Sequence, residues 1–288
     1  MQGYVPGGPF RILWVLALPG LLCQLPAQRK DSHMPPQEVV EHVKRKDWKV
    51  IDIPGQVGPD AASALLPLLD DPDLKVRELA VYCLDAAGGR DAAKGLFKAL
   101  HDRSETVRDA AIRFLERHVS SADVPAMEVE VQKNPDPLVR ETVALLLGRS
   151  RQPDAIPALH VQHAREPNTR TKRALALALA RLGDPTGRQA VLNRLTDADP
   201  GKVAEAVTDL IYVDDPKLLV HTAPLLDDMR QGKNVGPSHG PIIKRVCDVV
   251  VETMDAMLNH PFSFRISLAG KYSPAELAEA KGVLARLG

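Results

Sequence analysis

Residues Asp71 to Asp102 read DPDLKVRELAVYCLDAAGGRDAAKGLFKALHD, and much of the chain on either side repeats this pattern. Each half of the stretch carries apolar residues at helical spacing, and Gly88-Gly89 separates the two halves. The apolar positions are Val76, Leu79, Ala80, Cys83 and Leu84 in the first half and Ala93, Leu96, Phe97 and Leu100 in the second. The stretch therefore predicts a helical hairpin whose apolar flank must be covered by a neighbouring hairpin.

A pair of residues near the start of each first helix gives the period of the repeat. The pairs are Val76-Arg77, Val107-Arg108, Val139-Arg140, Lys172-Arg173 and Val203-Ala204, separated by 31, 32, 33 and 31 positions. Asp71, Asp102 and Asn134 stand five positions before the first three valines, where their side chains can accept hydrogen bonds from the free amides of a helix start. This period predicts an all-α fold, an α-solenoid of stacked helical hairpins.

The repeated segments resemble the HEAT repeat family, in particular the short HEAT-like repeats named after phycobilisome lyases. The resemblance is carried by D-P-D-L-K-V-R-E-L-A at 71–80, D-R-S-E-T-V-R-D-A-A at 102–111 and N-P-D-P-L-V-R-E-T-V at 134–143. It covers residues 58–231 and is informative about fold rather than function. It implies that one arginine per repeat stabilises the stack, which makes four residues structural: Arg77, Arg108, Arg140 and Arg173.

The chain divides into four segments. They are a signal peptide at 1–27, an N-terminal capping segment at 28–57, the HEAT-like repeats at 58–231 and a C-terminal helical cap at 232–288. The expected elements outside the regular repeats are helices at Pro36–Trp48, Gly58–Leu69 and Pro241–Leu258, a loop at Gly232–Gly240, and a last helix that the capping box Ser273-Pro274-Ala275-Glu276 opens and Leu287 ends.

The first 27 residues have the pattern of a secretory signal. One positive charge, Arg11, precedes an uncharged run from Ile12 to Leu25, and Ala27 suits a cleavage site. At ~1.5 Å per helical residue, this run is too short for a hydrocarbon core of ~30 Å, so we expect no stable membrane span. The pattern predicts an exported protein, periplasmic or extracellular, although a start codon placed too far upstream would give the same sequence.

Charge and motifs exclude some classes of function. The chain has 37 basic and 37 acidic residues and only 4% aromatic residues, which disfavours binding to nucleic acid. It lacks a Gly-rich phosphate loop, a nucleophile elbow and a cysteine pair at metal spacing, so we expect no enzyme and no cofactor. Cys83 and Cys247 lie on apolar helix faces and are predicted to be buried and unpaired.

Two histidines break the repeat pattern. His160 and His163 stand where other repeats have apolar residues, and their spacing of three lets both face the same way. Such a pair could bind a metal ion or an acidic partner. The third repeat, however, turns Glu128 and Gln132 to solvent, which leaves the histidines without a carboxylate partner there. We therefore interpret them as partly exposed packing residues and assign no metal site.

These features predict a monomeric, non-enzymatic scaffold that binds a protein partner. A second hypothesis follows from the resemblance, which allows a bilin lyase or a chaperone related to phycobilisome lyases; that chemistry is intracellular, in conflict with the predicted export. A third hypothesis is a purely structural envelope component without a discrete ligand.

Overall fold

The computed structural model describes residues 33–235, 242–266 and 271–287. Within them, the chain forms a stack of helical hairpins, which confirms the predicted all-α solenoid. The N-terminal part contains α1 (Pro36–Lys44) and α2 (Ala62–Leu65), with 3-10 helices at Trp48–Ile51, Pro59–Ala61 and Leu66–Asp70. The predicted signal peptide and its cleavage site lie outside the described residues.

Four regular hairpins follow, and each pairs two α-helices. In chain order they are α3 (Leu74–Ala87) with α4 (Gly89–Ala99), α5 (Glu105–His118) with α6 (Val124–Lys133), α7 (Pro137–Arg149) with α8 (Ile156–Arg165), and α9 (Thr169–Arg181) with α10 (Pro185–Arg194). Two short 3-10 helices, Ser121–Asp123 and Pro153–Ala155, lead into α6 and α8. A fifth hairpin joins α11 (Pro200–Val213) to a 3-10 helix at Pro216–Asp227.

The two expected helices of the N-terminal part are shorter than predicted. Lys46 takes a positive φ of 59° and α1 stops at Lys44, so Trp48 belongs to a separate 3-10 turn. The second predicted helix is only partly α-helical, because Pro67 has no amide hydrogen to donate within it. The aromatic ring of Tyr82 ties this part to the stack, lying edge-on between Trp48 and Phe114 at centroid distances of 5.2 and 5.0 Å.

The C-terminal part differs from the prediction. It contains an antiparallel pair, β1 (Gln231–Val235) and β2 (Ile242–Arg245), followed by α12 (Val246–Leu258) and α13 (Pro274–Ala285). The predicted helix at Pro241–Leu258 is therefore wrong in its first turn, where β-branched residues of β2 pair with β1. The capping box at Ser273 is confirmed: its hydroxyl accepts from the amide of Glu276, whose carboxylate accepts from the amide of Ser273.

Three polar side chains of the turns act one step earlier than predicted. Asp71, Asp102 and Asn134 accept from the amides two residues on, at 2.8, 2.7 and 3.0 Å, so they shape the turn and do not cap the helix itself. Asp73 and Asp136 stand at the caps and accept from first-turn amides. Asp102 and Asp136 each accept from these local amides with Oδ1, while Oδ2 accepts from a neighbouring hairpin.

The apolar core runs along the stack and divides at α9. Ala178 and Leu179 belong to the cluster that fills the N-terminal side, whereas Leu177 and Ala180 belong to the cluster that fills the C-terminal side. Cys83 lies in the first cluster and is fully buried, as predicted. Leu145 of α7 packs against both clusters, so the two parts of the core meet where α9 lies against α7.

Cys247 lies in the C-terminal cluster and is also fully buried, as predicted. Neither it nor Cys83 forms a disulfide within the described residues. A different expectation fails nearby. The repeat register would place Ile211 inside, since Leu84, Leu115 and Leu147 are buried at the same position of earlier repeats, yet Ile211 is 43% exposed.

Candidate binding groove between the fourth and fifth hairpins

Three of the repeated arginines join consecutive hairpins by the same set of contacts. In each case Nη1 donates to the carbonyl oxygen six residues earlier, at 2.9 to 3.0 Å, and Nε donates to a carboxylate in the turn before the next first helix, at 2.8 to 3.1 Å. We call each such set a rung. The rungs pair Arg77 with Asp102, Arg108 with Asp136, and Arg140 with Glu166. These contacts agree with the structural role that the resemblance implies.

The third rung has the most deeply buried carboxylate of the three. The side chain of Glu166 is fully buried and accepts from Arg140 Nε at 2.8 Å and Nη2 at 2.7 Å. It also accepts from the side-chain amide of Gln162 at 2.6 Å and the backbone amide of Asn168 at 3.0 Å. Hydrogen bonding by the Arg140 guanidinium, opposed by burial, lowers the pKa of Glu166 to about 2.

The fourth arginine leaves this pattern, contrary to the expectation for Arg173. Its Nε donates to Asp209 at 2.8 Å, and its Nη1 pairs with Glu205. Both carboxylates lie within α11, roughly one and a half turns (Glu205) and two and a half turns (Asp209) from its start at Pro200. The carbonyl of Pro167, six residues before Arg173, receives no guanidinium among the described residues. The fourth rung is therefore missing.

A second arginine enters the same place from α10. Arg194 pairs with Glu205 at 2.6 Å and with the buried carboxylate of Asp209. We call Arg173, Arg194, Glu205 and Asp209 the charge cluster. Because Asp209 is removed from water, it is compensated by two cations at once, as a buried carboxylate requires.

In the fifth hairpin, an arginine from outside the repeat motif makes the contact to the turn carbonyl. The hairpin has Ala204 in place of arginine, and the carbonyl six residues earlier, that of Ala198, accepts from Arg230 Nη1 at 2.8 Å. The guanidinium of Arg230 also donates to both carboxylate oxygens of Asp228, from Nε to Oδ1 at 3.0 Å and from Nη2 to Oδ2 at 2.7 Å. Gly232 passes so close that a Cβ there would lie 2.9 Å from the Cβ of Ala204, which leaves no room for an arginine at 204.

Three connected cavities open where the fourth rung is missing, and Arg173 lines all of them. One of about 290 Å³ lies between α8, α9 and α10; one of about 690 Å³ lies between α7, α9 and α11; and one of about 590 Å³ extends from α9 past Asp199 to Gly232. We call them together the junction groove. It passes Asp199, which occupies the place of the rung carboxylates and instead caps α11 through the amide of Gly201 at 2.7 Å.

Comparison with known families assigns the fold. The family model described as HEAT repeats matches residues 62–129 and 124–211, which is more than half of the chain. The chain belongs to the HEAT repeat family. The match extends from α2 into α11 and includes the residues that line the junction groove except Tyr212 and Gly232. A comparison with curated protein sequences gives no match.

Solved structures with a similar arrangement include three proteins. The complex of CpcE and CpcF of phycocyanin lyase from Nostoc sp. PCC7120 shares 18% identity over 93% of this chain and 99% of that chain, with a TM-score of 0.46. The YibA protein of Escherichia coli shares 15% identity over 88% and 98%, with a TM-score of 0.46. Human deoxyhypusine hydroxylase in complex with glycerol shares 14% identity over 80% and 96%, with a TM-score of 0.37.

Exposed charges of both signs line the rim of the junction groove. The side chains of Arg170 and Lys202 are 72% and 61% exposed, and Lys172 is also exposed and forms no ion pair within the described part of the chain. Among the acidic side chains, that of Glu205 is 48% exposed and Asp199 is exposed as well, whereas those of Glu141 and Asp209 are only 14% and 8% exposed. A partner approaching this part of the HEAT array therefore meets both positive and negative charge.

The two histidines of α8 have separate environments. His160 Nε2 lies 3.0 Å from Asp184 Oδ2, so the expectation that it lacks a carboxylate partner is wrong. The partner was missed because it lies in the turn of the following hairpin, where it also caps α10 through the amide of Gly187. His163 lines the smallest cavity of the groove, and burial together with the charge of Lys172 lowers its pKa.

In the described ranges, no arrangement of residues supports metal binding or membrane insertion. No three His, Cys, Asp or Glu side chains there are grouped as a metal ion would need. Nor does any helix in those ranges have the length and apolar content for crossing a bilayer; the apolar run from Ile12 to Leu25 falls outside them.

A second series of arginines was not recognised in the sequence, although it has a regular spacing. Arg117, Arg149 and Arg181 recur every 32 residues in the last turns of α5, α7 and α9. The guanidinium groups of Arg149 and Arg181 lie 5.9 and 5.3 Å from the ring centre of Tyr212, whose hydroxyl donates to the carbonyl of Leu145 at 2.6 Å. Tyr212 therefore ties the fifth hairpin directly to the third and forms one wall of the groove.

Proposed function

We propose that this HEAT-repeat protein is a non-enzymatic scaffold that binds a segment of a partner protein in the junction groove. One observation carries the proposal: the regular contact between hairpins is interrupted at the fourth rung, where connected cavities open. HEAT hairpins bury their flanks against each other, so an interruption exposes binding surface without ending the stack. Mixed charge and apolar walls in one groove suit a peptide chain, which carries both kinds of group.

Site-directed crosslinking tests this function in cells that naturally produce the protein. A photoreactive p-benzoylphenylalanine replaces Lys202, at the rim of the groove, and in a control variant it replaces Lys217, an exposed lysine in the 3-10 helix after α11. We expect one protein to be crosslinked from position 202 and to be identified by mass spectrometry. Crosslinking of the same proteins from both positions, or of none from position 202, would contradict a binding function at this groove.

We further propose that the scaffold is exported, on the basis of the uncharged run from Ile12 to Leu25 and of Ala27. The mature chain then starts at or near Gln28. Intact-mass measurement of the protein from the envelope fraction of its native cells provides the test. Full-length protein recovered from the cytosol would exclude export and would reopen the hypothesis of an intracellular bilin lyase.

A further inference from the structure

The smallest cavity of the junction groove differs from the other two in its charge. Its ionisable side chains are all basic: His163 from α8, Lys172 and Arg173 from α9, and Arg194 from α10. No carboxylate lines this part, whereas Glu205 and Asp209 line the neighbouring cavity. We call it the basic pocket. Its unpaired charge is positive and faces a cavity.

Hydrogen-bond donors remain available in the basic pocket. Lys172 has three ammonium hydrogens and no acidic partner among the residues that the structure describes. Arg194 binds Asp209 and Glu205 through its two terminal nitrogens, which leaves its Nε hydrogen without a protein acceptor in that same part of the chain. The pKa of His163 is lowered mainly by burial and in addition by the nearby charge of Lys172, and this second contribution reflects positive charge at the pocket. An anion would satisfy these donors and relieve the repulsion.

The floor of the pocket is apolar, which argues for more than a free inorganic anion. Ala176, Leu177 and Val191 form it, and all three side chains are nearly or fully buried. A volume of about 290 Å³ has room for one or two side chains but not for a folded element. Arg173 and Arg194 line both this pocket and the larger cavity beside it, so a bound chain can continue from one into the other.

We propose that the basic pocket binds an acidic side chain and an adjoining apolar side chain of an extended partner segment that runs on along the junction groove. The inference rests on the proposed function and specifies the chemistry of the partner. The carboxylate meets Lys172 and Arg194, and the apolar side chain covers Leu177 and Val191. Charge-assisted hydrogen bonds of this kind are about twice as strong as neutral ones, so the acidic group decides specificity.

Two synthetic peptides, acetyl-ALELA-amide and acetyl-ALQLA-amide, test the inference against the full-length protein. They differ only in the replacement of a carboxylate by a neutral amide of the same size. We expect the glutamate peptide to bind about tenfold more tightly, the ratio that one charge-assisted contact provides. Lys172→Gln should remove most of this preference, whereas Lys217→Gln, the matched change at an exposed lysine outside the groove, should leave it intact.

The imidazole of His163 provides a local readout by NMR. The groups around it are Lys172 and His160, with the arginines of the pocket beyond. A bound carboxylate stabilises the imidazolium, so saturation with the glutamate peptide should raise the pKa of His163, and the glutamine peptide should not. His163→Gln in the same titration identifies which imidazole signal belongs to the pocket.

The possible results distinguish a failure of this inference from a failure of the proposed scaffold function. Equal affinities for the two peptides would overturn the inference, as would displacement of the glutamate peptide by low concentrations of inorganic phosphate, which would indicate a free-anion site. If either result accompanies specific crosslinking from Lys202, the scaffold function stands and only the acidic partner is refuted. If crosslinking from Lys202 also fails, both proposals fall.

Discussion

Replacing Glu166 with glutamine should destabilise the protein by about 3 kcal/mol at neutral pH. The pKa of Glu166 is about 2, against 4.5 for the free side chain, and each unit corresponds to about 1.36 kcal/mol of preference for the charged form. Removing one partner from a buried ion pair costs about 3 to 5 kcal/mol by independent measurements on other proteins. Glutamine keeps the shape and part of the hydrogen bonding to Arg140 and Asn168, which places the expected loss at the lower end.

The pH dependence of this loss follows from the direction of the shift. A carboxyl group whose pKa is lowered by folding stabilises the native state at pH values above its unfolded pKa, and this stabilisation fades as the pH falls through the folded value. The difference between the wild type and Glu166→Gln should be complete above about pH 5, should shrink progressively at lower pH, and should be small near pH 2. Urea unfolding followed by circular dichroism at several pH values measures it.

Repeat arrays can unfold in parts, so the assay needs a local measurement as well. Hydrogen exchange of amides in α7 and α9, the two helices joined at the third rung, reports the free energy of opening there. Glu116→Gln is the control, because Glu116 pairs with Arg149 at 3.1 Å while both side chains are 47% exposed; we expect it to cost less than about 0.5 kcal/mol. A loss below about 1 kcal/mol for Glu166→Gln, or one that persists unchanged at pH 2, would refute this account of the rung.

Two further predictions concern packing. Gly148→Ala should destabilise the protein by about 1 to 3 kcal/mol, because the new Cβ would collide with the hydroxyl of Tyr212 and lie 2.8 Å from the Cα of Ala178. Urea unfolding measures this loss. A smaller loss would show that the helices can move apart at little cost in free energy. Cys83 and Cys247 should resist alkylation in the native protein at pH 8 and react after denaturation. The reason is that burial raises the pKa of Cys83 to about 12 and also raises the pKa of Cys247. Rapid alkylation of Cys83 in the native protein would mean that the first hairpin opens readily.

The helices of the regular hairpins could be predicted from the sequence because their signals are local. Apolar spacing and turn residues determine each helix within the unit itself, as in α3 and α4. The C-terminal strands could not be predicted in this way. Pro241–Leu258 has helical periodicity throughout, and only the pairing of Ile242–Arg245 with Gln231–Val235 makes its start a strand. That pairing is a contact between two separate segments, and the spacing of apolar residues within one segment does not predict it.

The carboxylates that pair with the arginines in the rungs could not be predicted from the sequence either, for a different reason. They follow their arginines by 25, 28 and 26 positions and change from aspartate to glutamate, so no fixed spacing identifies them. Each turn offers more than one acceptor, and the choice between Asn134 and Asp136 as partner of Arg108 depends on the geometry of the turn. The arginine is periodic because it lies on a helix; its partner is not, because it lies in a loop.

The fourth and fifth hairpins show what this difference means for function. Arg173 keeps the repeat motif in sequence yet makes no rung, whereas Ala204 loses the motif and Arg230 supplies the contact from outside it. A residue that matches the repeat motif therefore indicates its position on the helix, not the contact that its side chain makes. The stack continues past the interruption because Arg173 and Arg194 of the fourth hairpin pair with carboxylates of the fifth, and Tyr212 adds a hydrogen bond to Leu145 of the third. Since nearest-neighbour interfaces hold such an array together, a gap that is bridged in this way can remain open as a groove without dividing the solenoid into two parts.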